Sequence, residues 1–142
     1  MIAPERLCSR SLDPCSLMPD YQKAEIAFRP RIRIFRGGEI VMGPGKAELL
    51  AHVEETKSLS EAARRMKMSY MKAWLLVQTM NRCYKKPLVH AERGGRTGGG
   101  ARLTSYGQRV LACYREMEEL SLAAMQKPWK KVRRMLKNSP AS

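Results

Sequence analysis

A glycine- and arginine-rich run, Arg93-Gly94-Gly95-Arg96-Thr97-Gly98-Gly99-Gly100-Ala101-Arg102-Leu103-Thr104, arrives just after a helix-turn-helix pattern. Glycine lets a backbone lie close against another polymer in conformations other residues avoid, and interleaved arginines supply charge suited to phosphate or a guanine edge. Taken alone, the run also fits a solvent loop; following a helix-turn-helix by one strand, it fits a wing that grips DNA. It is not a nucleotide-phosphate loop, because Gly94 to Gly99 leads into Gly100-Ala101 and not into Lys-Ser/Thr.

The second group is Ser69-Tyr70-Met71-Lys72, where a recognition helix presents its first side chains to base edges. The Ser69 hydroxyl can cap the helix and still lie beside a phosphate. Tyr70 can hydrogen-bond a phosphate or pack on a sugar, Lys72 can reach guanine acceptors or phosphate, and Met71 can touch a thymine methyl. Trp74 shares a face with Val77 and Ala73 and reads as core. Most of the ten methionines read as core packing. No Ser/His/Asp set, acidic pair or metal spacing stands out, so neither an enzyme nor a bound cofactor is expected.

The elements that must position these groups follow from periodicity. Arg31-Ile32-Arg33-Ile34-Phe35 alternates with period two, and Gly37-Gly38 then Glu39-Ile40-Val41-Met42 complete a small hairpin. Gly43-Pro44-Gly45 reads as a chain break, after which Ala47, Leu49, Leu50 and Val53 keep a helical face to about residue 57. Ser58 or Ser60 can cap a two-turn second helix; Ser58 has Glu61 three places on, and Leu59, Ala62, Ala63 and Met66 form the buried side. Lys67-Met68-Ser69 turns the chain into a third helix over 70 to about 84, stopped by Pro87. Residues 88–92 and Ala101-Arg102-Leu103 flank the glycine loop as strands. Thr104 or Ser105 caps a last long helix to about residue 125. In it Tyr106, Val110, Cys113, Met117, Leu120 and Ala124 alternate four and three apart, the spacing of a coiled-coil seam.

Composition supports the same partner. The 142 residues hold 27 Lys plus Arg against 13 Asp plus Glu, a formal +14 that attracts polyanions. At 44% hydrophobic residues, the chain suffices for one compact core. Cys8, Cys15, Cys83 and Cys113 form no CxxC pair, and His52 and His90 are far apart, which argues against zinc fingers and disulfide frameworks. Pro4, Asp13, Pro14, Pro19 and Asp20 interrupt any signal-peptide core, and no stretch approaches a membrane span. The expectation is a cytoplasmic, nucleoid-associated protein with no membrane partner. Its organisation reads as a flexible leader over 1–25, a domain over 26–125 and a basic tail over 126–142. In that tail Trp129, Val132 and Leu136, with basic residues between them, could form an amphipathic helix on an anionic membrane or a partner; a solvated segment adding nonspecific DNA affinity is the preferred reading.

The run from Ser60-Glu61-Ala62-Ala63-Arg64 to Ser69-Tyr70-Met71-Lys72-Ala73-Trp74, then Met80-Asn81, Gly94 to Ala101 and Leu103-Thr104-Ser105-Tyr106-Gly107, resembles the N-terminal winged-helix domain of ModE-type molybdate-responsive regulators. It is more distantly similar to LysR-type DNA-binding domains. The resemblance covers roughly residues 29–125. It implies a third helix in the major groove, a wing on the backbone or minor groove, and long helices forming a two-fold dimer. Full-length members of that family continue into oxyanion-binding β-barrel domains, whereas this chain continues into a short basic segment. A regulator without its own oxyanion-sensing domain is therefore expected.

The resulting expectation is a mainly α fold with a small β-wing, a winged helix-turn-helix with a long C-terminal dimerisation helix. Its function would be sequence-specific binding of double-stranded DNA as a homodimeric transcription regulator. The DNA-contacting set is Ser60, Ser69, Tyr70, Met71, Lys72, Arg93, Arg96, Thr97, Gly98 and Arg102, and the dimer interface is Tyr106, Val110, Cys113, Met117 and Leu120. Two alternatives remain at this level: a basic nucleoid- or RNA-associated structural protein, and the DNA-binding half of a molybdate-responsive system that senses through a separate effector-sensing protein.

Overall fold

The computed structural model describes residues 26, 28–92 and 100–137. Its elements are β1 (Ile34–Arg36), β2 (Glu39–Met42), α1 (Pro44–Thr56), α2 (Leu59–Arg65), α3 (Tyr70–Cys83), β3 (Val89–Ala91), β4 (Ala101–Leu103), α4 (Ser105–Ala124) and α5 (Gln126–Met135). Pro30–Gln126 is one compact unit; the described residues outside it belong to a second. The expected leader over 1–25, the wing tip 93–99 and residues 138–142 lie outside the described residues.

The β1–β2 hairpin turns on Gly37 and Gly38, with φ of 56° and 84°, the left-handed pair that a two-residue hairpin loop demands. Ile34 pairs with Met42 but Phe35 with Ile40, so Val41 is an extra residue in the ladder. This bulge turns Val41 and Met42 both inward, where strict alternation would expose one of them.

Gly43-Pro44-Gly45 does not break the chain ahead of the first helix. Extended Gly43 is the N-cap, and Pro44 and Gly45 are the first helical residues. Proline loses nothing there, because the first-turn N–H groups have no intrahelical partner. Leu49, Leu50 and Val53 of α1 are wholly buried. Of the two serines able to cap α2, Ser58 does so, its hydroxyl accepting from the Glu61 N–H at 3.2 Å. Leu59, Ala62 and Ala63 then bury against α1 and α3. Ser69 caps α3 in the same way through the Lys72 N–H at 3.2 Å.

The wing base is an antiparallel pair with register Val89↔Leu103, His90↔Arg102 and Ala91↔Ala101. The Ala101 N–H also donates to the Lys57 carbonyl at 3.0 Å, tying the end of α1 to the wing. Thr104, not Ser105, caps α4: its hydroxyl oxygen accepts from the Gly107 N–H at 2.9 Å, and the hydroxyl donates to the Pro87 carbonyl at 2.7 Å. A Cβ on Gly107 would overlap the Leu88 carbonyl. The first turn of α4 therefore rests directly on the chain entering β3. Leu111 and Tyr114 of α4 close the core, and the Tyr114 hydroxyl donates to the Ile32 carbonyl at 2.7 Å.

The segment expected as a solvated tail, which belongs to the second unit from residue 127 on, is helical from Gln126 to Met135. Trp129 is half-buried there, with its ring 4.9 Å from that of Phe28.

Candidate nucleic-acid interface

The face of α3 that points away from the core is built by subtraction. Ala73, Val77 and Met80 are spent on the core, which leaves Tyr70, Met71, Lys72, Leu75 and Gln78 exposed. Tyr70 and Trp74 stack with centroids 6.4 Å apart and 22° between planes. Trp74, expected as core, is only half-buried, its ring packing on the core and facing Tyr70. A tryptophan at the rim stiffens a tyrosine that would otherwise sample several rotamers. Nothing in the sequence marks Leu75 for this face. Its neighbours Trp74 and Leu76 are equally apolar, so only the packing direction shows that Leu75 faces outward.

Three contacts fix the far end of α3. Asn81 Oδ1 accepts from the Leu88 and Val89 N–H groups at 2.8 and 3.2 Å, while its Nδ2 donates to the Val89 carbonyl at 2.8 Å. The side chain thus acts as a short extra strand latching α3 to the wing. Arg36 donates to the Cys83 carbonyl at 2.7 Å, and Arg82 donates to both Glu39 carboxylate oxygens at 2.9 and 3.0 Å. The Arg82 bond holds the Glu39 carboxyl below its ordinary range. These latches link sites far apart in sequence. In sequence Asn81 showed only as part of a motif, with no partner implied.

The other expected DNA-contacting residues divide. Ser60 is exposed on the first turn of α2, and Arg102 is exposed on β4 opposite exposed His90. Arg93, Arg96, Thr97 and Gly98 lie outside the described residues. Arg64 and Arg65 end α2 but are engaged by carboxylates, Arg64 with Glu61 at 2.6 Å and Arg65 with Glu55 at 2.8 Å.

The expected seam on α4 starts at the edge of the core, against which Tyr106 and Val110 pack, and runs out onto the exposed surface. Tyr106 and Val110 are half-buried, Cys113 is exposed, and Met117 and Leu120 are 42% and 64% exposed. Ile34, Tyr84, Tyr106, Val110 and Met117 line an open apolar groove of about 370 Å³ along this face. Among the described residues no cluster of three or more His, Cys, Asp or Glu could hold a metal. None of the described helices is long and apolar enough to cross a membrane.

A three-helix core with an outward-facing third helix, followed by a two-stranded wing, defines a winged helix-turn-helix domain. The family described as "Bacterial regulatory helix-turn-helix protein, lysR family" matches residues 45–108, and that stretch is a LysR-type helix-turn-helix domain. The chain is 42% identical over 73 residues to "Molybdenum transport protein ModE" of Azotobacter vinelandii, covering 51% of this chain and 27% of the relative. It is 44% identical over 77 residues to "Molybdenum-pterin-binding protein MopB" of Rhodobacter capsulatus, covering 54% and 28%. With "DNA-binding transcriptional dual regulator ModE" of Escherichia coli K12 it shares 39% over 71 residues, covering 50% and 27%. The resemblance to ModE-type regulators read from the motifs therefore holds over half of this chain, which spans less than a third of the length of these relatives. A solved structure, "Crystal structure of CbnR_DBD-DNA complex", aligns with a TM-score of 0.48 and 22% identity over 61% of this chain and 94% of that one.

Proposed function

We propose that this chain is a sequence-specific double-stranded DNA-binding transcription regulator that works as a homodimer. The observation that carries the reading is the outward face of α3. Tyr70, Met71 and Lys72 stand exposed at the start of a helix whose opposite face is sealed in the core, as a side that enters a major groove must be. Arg102 and the wing arginines Arg93 and Arg96 act on the flanking backbone, Ser60, Ser69 and the Thr97 hydroxyl serve phosphates, and Gly98 allows close approach. Supporting it, the printed name of the Escherichia coli K12 relative is that of a DNA-binding transcriptional dual regulator.

The uncovered side of α4 supports the homodimer. A second copy of α4 laid on the groove would cover Met117 and Leu120, and two α3 helices related by that two-fold would read half-sites spaced about one DNA turn, ~34 Å. The test is selection of bound sequences from random duplex DNA, followed by affinity against salt. An enriched near-palindromic motif is expected, with a slope of log K on log salt of about −0.9 per phosphate contacted. RNA bound as tightly as duplex, without an enriched motif, would replace this reading with that of a basic structural protein.

A further inference from the structure

The outward face of α3 is not uniformly polar. Met71 is 63% and Leu75 58% exposed, and they lie four residues apart on one side of the helix, separated by about 6 Å of rise. Exposed Gln78 continues the same side. α3 contains no Asp or Glu, and its one arginine, Arg82, is held by Glu39. Left in water, the ridge forgoes about 0.8 kcal/mol for each methylene that burial would shield. On the edges of base pairs in a major groove, the apolar group is the thymine C5 methyl. Two base-pair steps of ~3.4 Å come close to the spacing of Met71 and Leu75. A carboxamide such as that of Gln78 matches the adenine N6/N7 edge, so both chemistries on the ridge address A·T pairs. A carboxylate, the group that would select the cytosine amino group, is missing from α3.

We propose that Met71 and Leu75 are specificity-determining residues that read thymine methyl groups at two nearby positions of each half-site. The assignment rests on the reading that α3 enters the major groove, and it names what that helix reads there. Lys72 and Tyr70 at the entry of the helix add polar contacts to bases and backbone, while the apolar ridge reads the methyl groups.

The experiment takes the duplex selected by the full 142-residue chain and replaces its thymines one at a time with deoxyuridine, which removes a methyl and nothing else. At two positions per half-site the exchange weakens binding about fourfold, the worth of one buried methyl. Leu75→Ala abolishes the sensitivity at one of these positions and Met71→Ala at the other. Both side chains are on the surface, so unchanged circular dichroism is expected for each variant. Deoxyuridine duplexes that all bind like the parent, or a Leu75→Ala variant that keeps the full pattern of sensitivity, would overturn the assignment and leave the groove reading standing. A ridge that instead docks a protein would give this result. A chain that selects no duplex motif would overturn both.

Discussion

Lys67 closes the turn between α2 and α3 with φ of 53°, a left-handed conformation that costs a side-chain-bearing residue roughly 1–2 kcal/mol. The turn is held by N–H bonds from Lys67 to the Arg64 carbonyl at 3.0 Å and from Met68 to the Ala63 carbonyl at 3.0 Å. Glycine would take this conformation freely but would also loosen the unfolded chain. Lys67→Gly should therefore raise stability by up to about 1 kcal/mol in urea denaturation; a destabilised variant would refute the strain. Tyr114 shows a different kind of cost. Burial, followed by the nearby Glu118 carboxylate, pushes its phenol up to about 12. An unfolded tyrosine ionises near 10. The folded state holds the proton over the interval between, so the stability it contributes is intact below pH 10 and is lost as pH rises toward about 12. Tyr114→Phe should show a smaller fall in stability across that interval. At neutral pH it should cost about 1 kcal/mol, because the half-buried Ile32 carbonyl loses its donor.

At the scale of elements, α3 and the wing should fail in different ways when damaged. Lys72→Ala and Tyr70→Ala, at the entry of α3, should lower affinity for the selected site more than for random duplex, by about 1–3 kcal/mol for any side chain that reads a base. Arg93→Ala and Arg96→Ala should weaken both duplexes alike and flatten the salt slope by about 0.9 for each phosphate ion pair removed. Equal behaviour of all four variants on both duplexes would take readout away from Tyr70 and Lys72 at the entry of α3. The elements themselves were largely legible in sequence because their signals are local. Ser58 with Glu61, Ser69 before Tyr70, and Gly37-Gly38 between alternating residues each carry their partner within four positions. What could not be read depends on distant contacts. The Asn81 latch, the Glu39–Arg82 pair and the pressing of Gly107 on Leu88 link residues 7 to 43 positions apart. The half-exposed state of Trp74 and the outward turn of Leu75 are settled by how α3 lies on α1 and α2, which periodicity alone does not fix. The start of α1 was missed because proline and glycine signal a break and a helix N-terminus with the same residues.

For the whole molecule, the question is how a compact unit this small reaches useful affinity. Doubling is one answer. Met117→Glu would place two like charges across the proposed α4 seam; halved mass in sedimentation is expected, together with loss of affinity for the two-half-site duplex but not for a single half-site. An unchanged mass would move the interface off α4. Charge is the other answer, and α5 concentrates it. Lys127, Lys130, Lys131, Arg133 and Arg134 occupy one side of this helix, Trp129, Val132 and Met135 the other, and no acid offsets them. The apolar edge has a use within its own unit, where Trp129 meets Phe28, while the cations stay exposed and unpaired with any carboxylate among the described residues. A helix of this kind adds phosphate contacts that carry no sequence information. Removal of residues 126–142 should therefore leave dimer mass and the selected motif unchanged while lowering affinity for specific and random duplex in parallel. The salt slope should fall by about 0.9 for each phosphate that α5 no longer neutralises. Preference between the two duplexes that collapses on truncation, with the dimer intact, would show that α5 takes part in readout and not in charge alone.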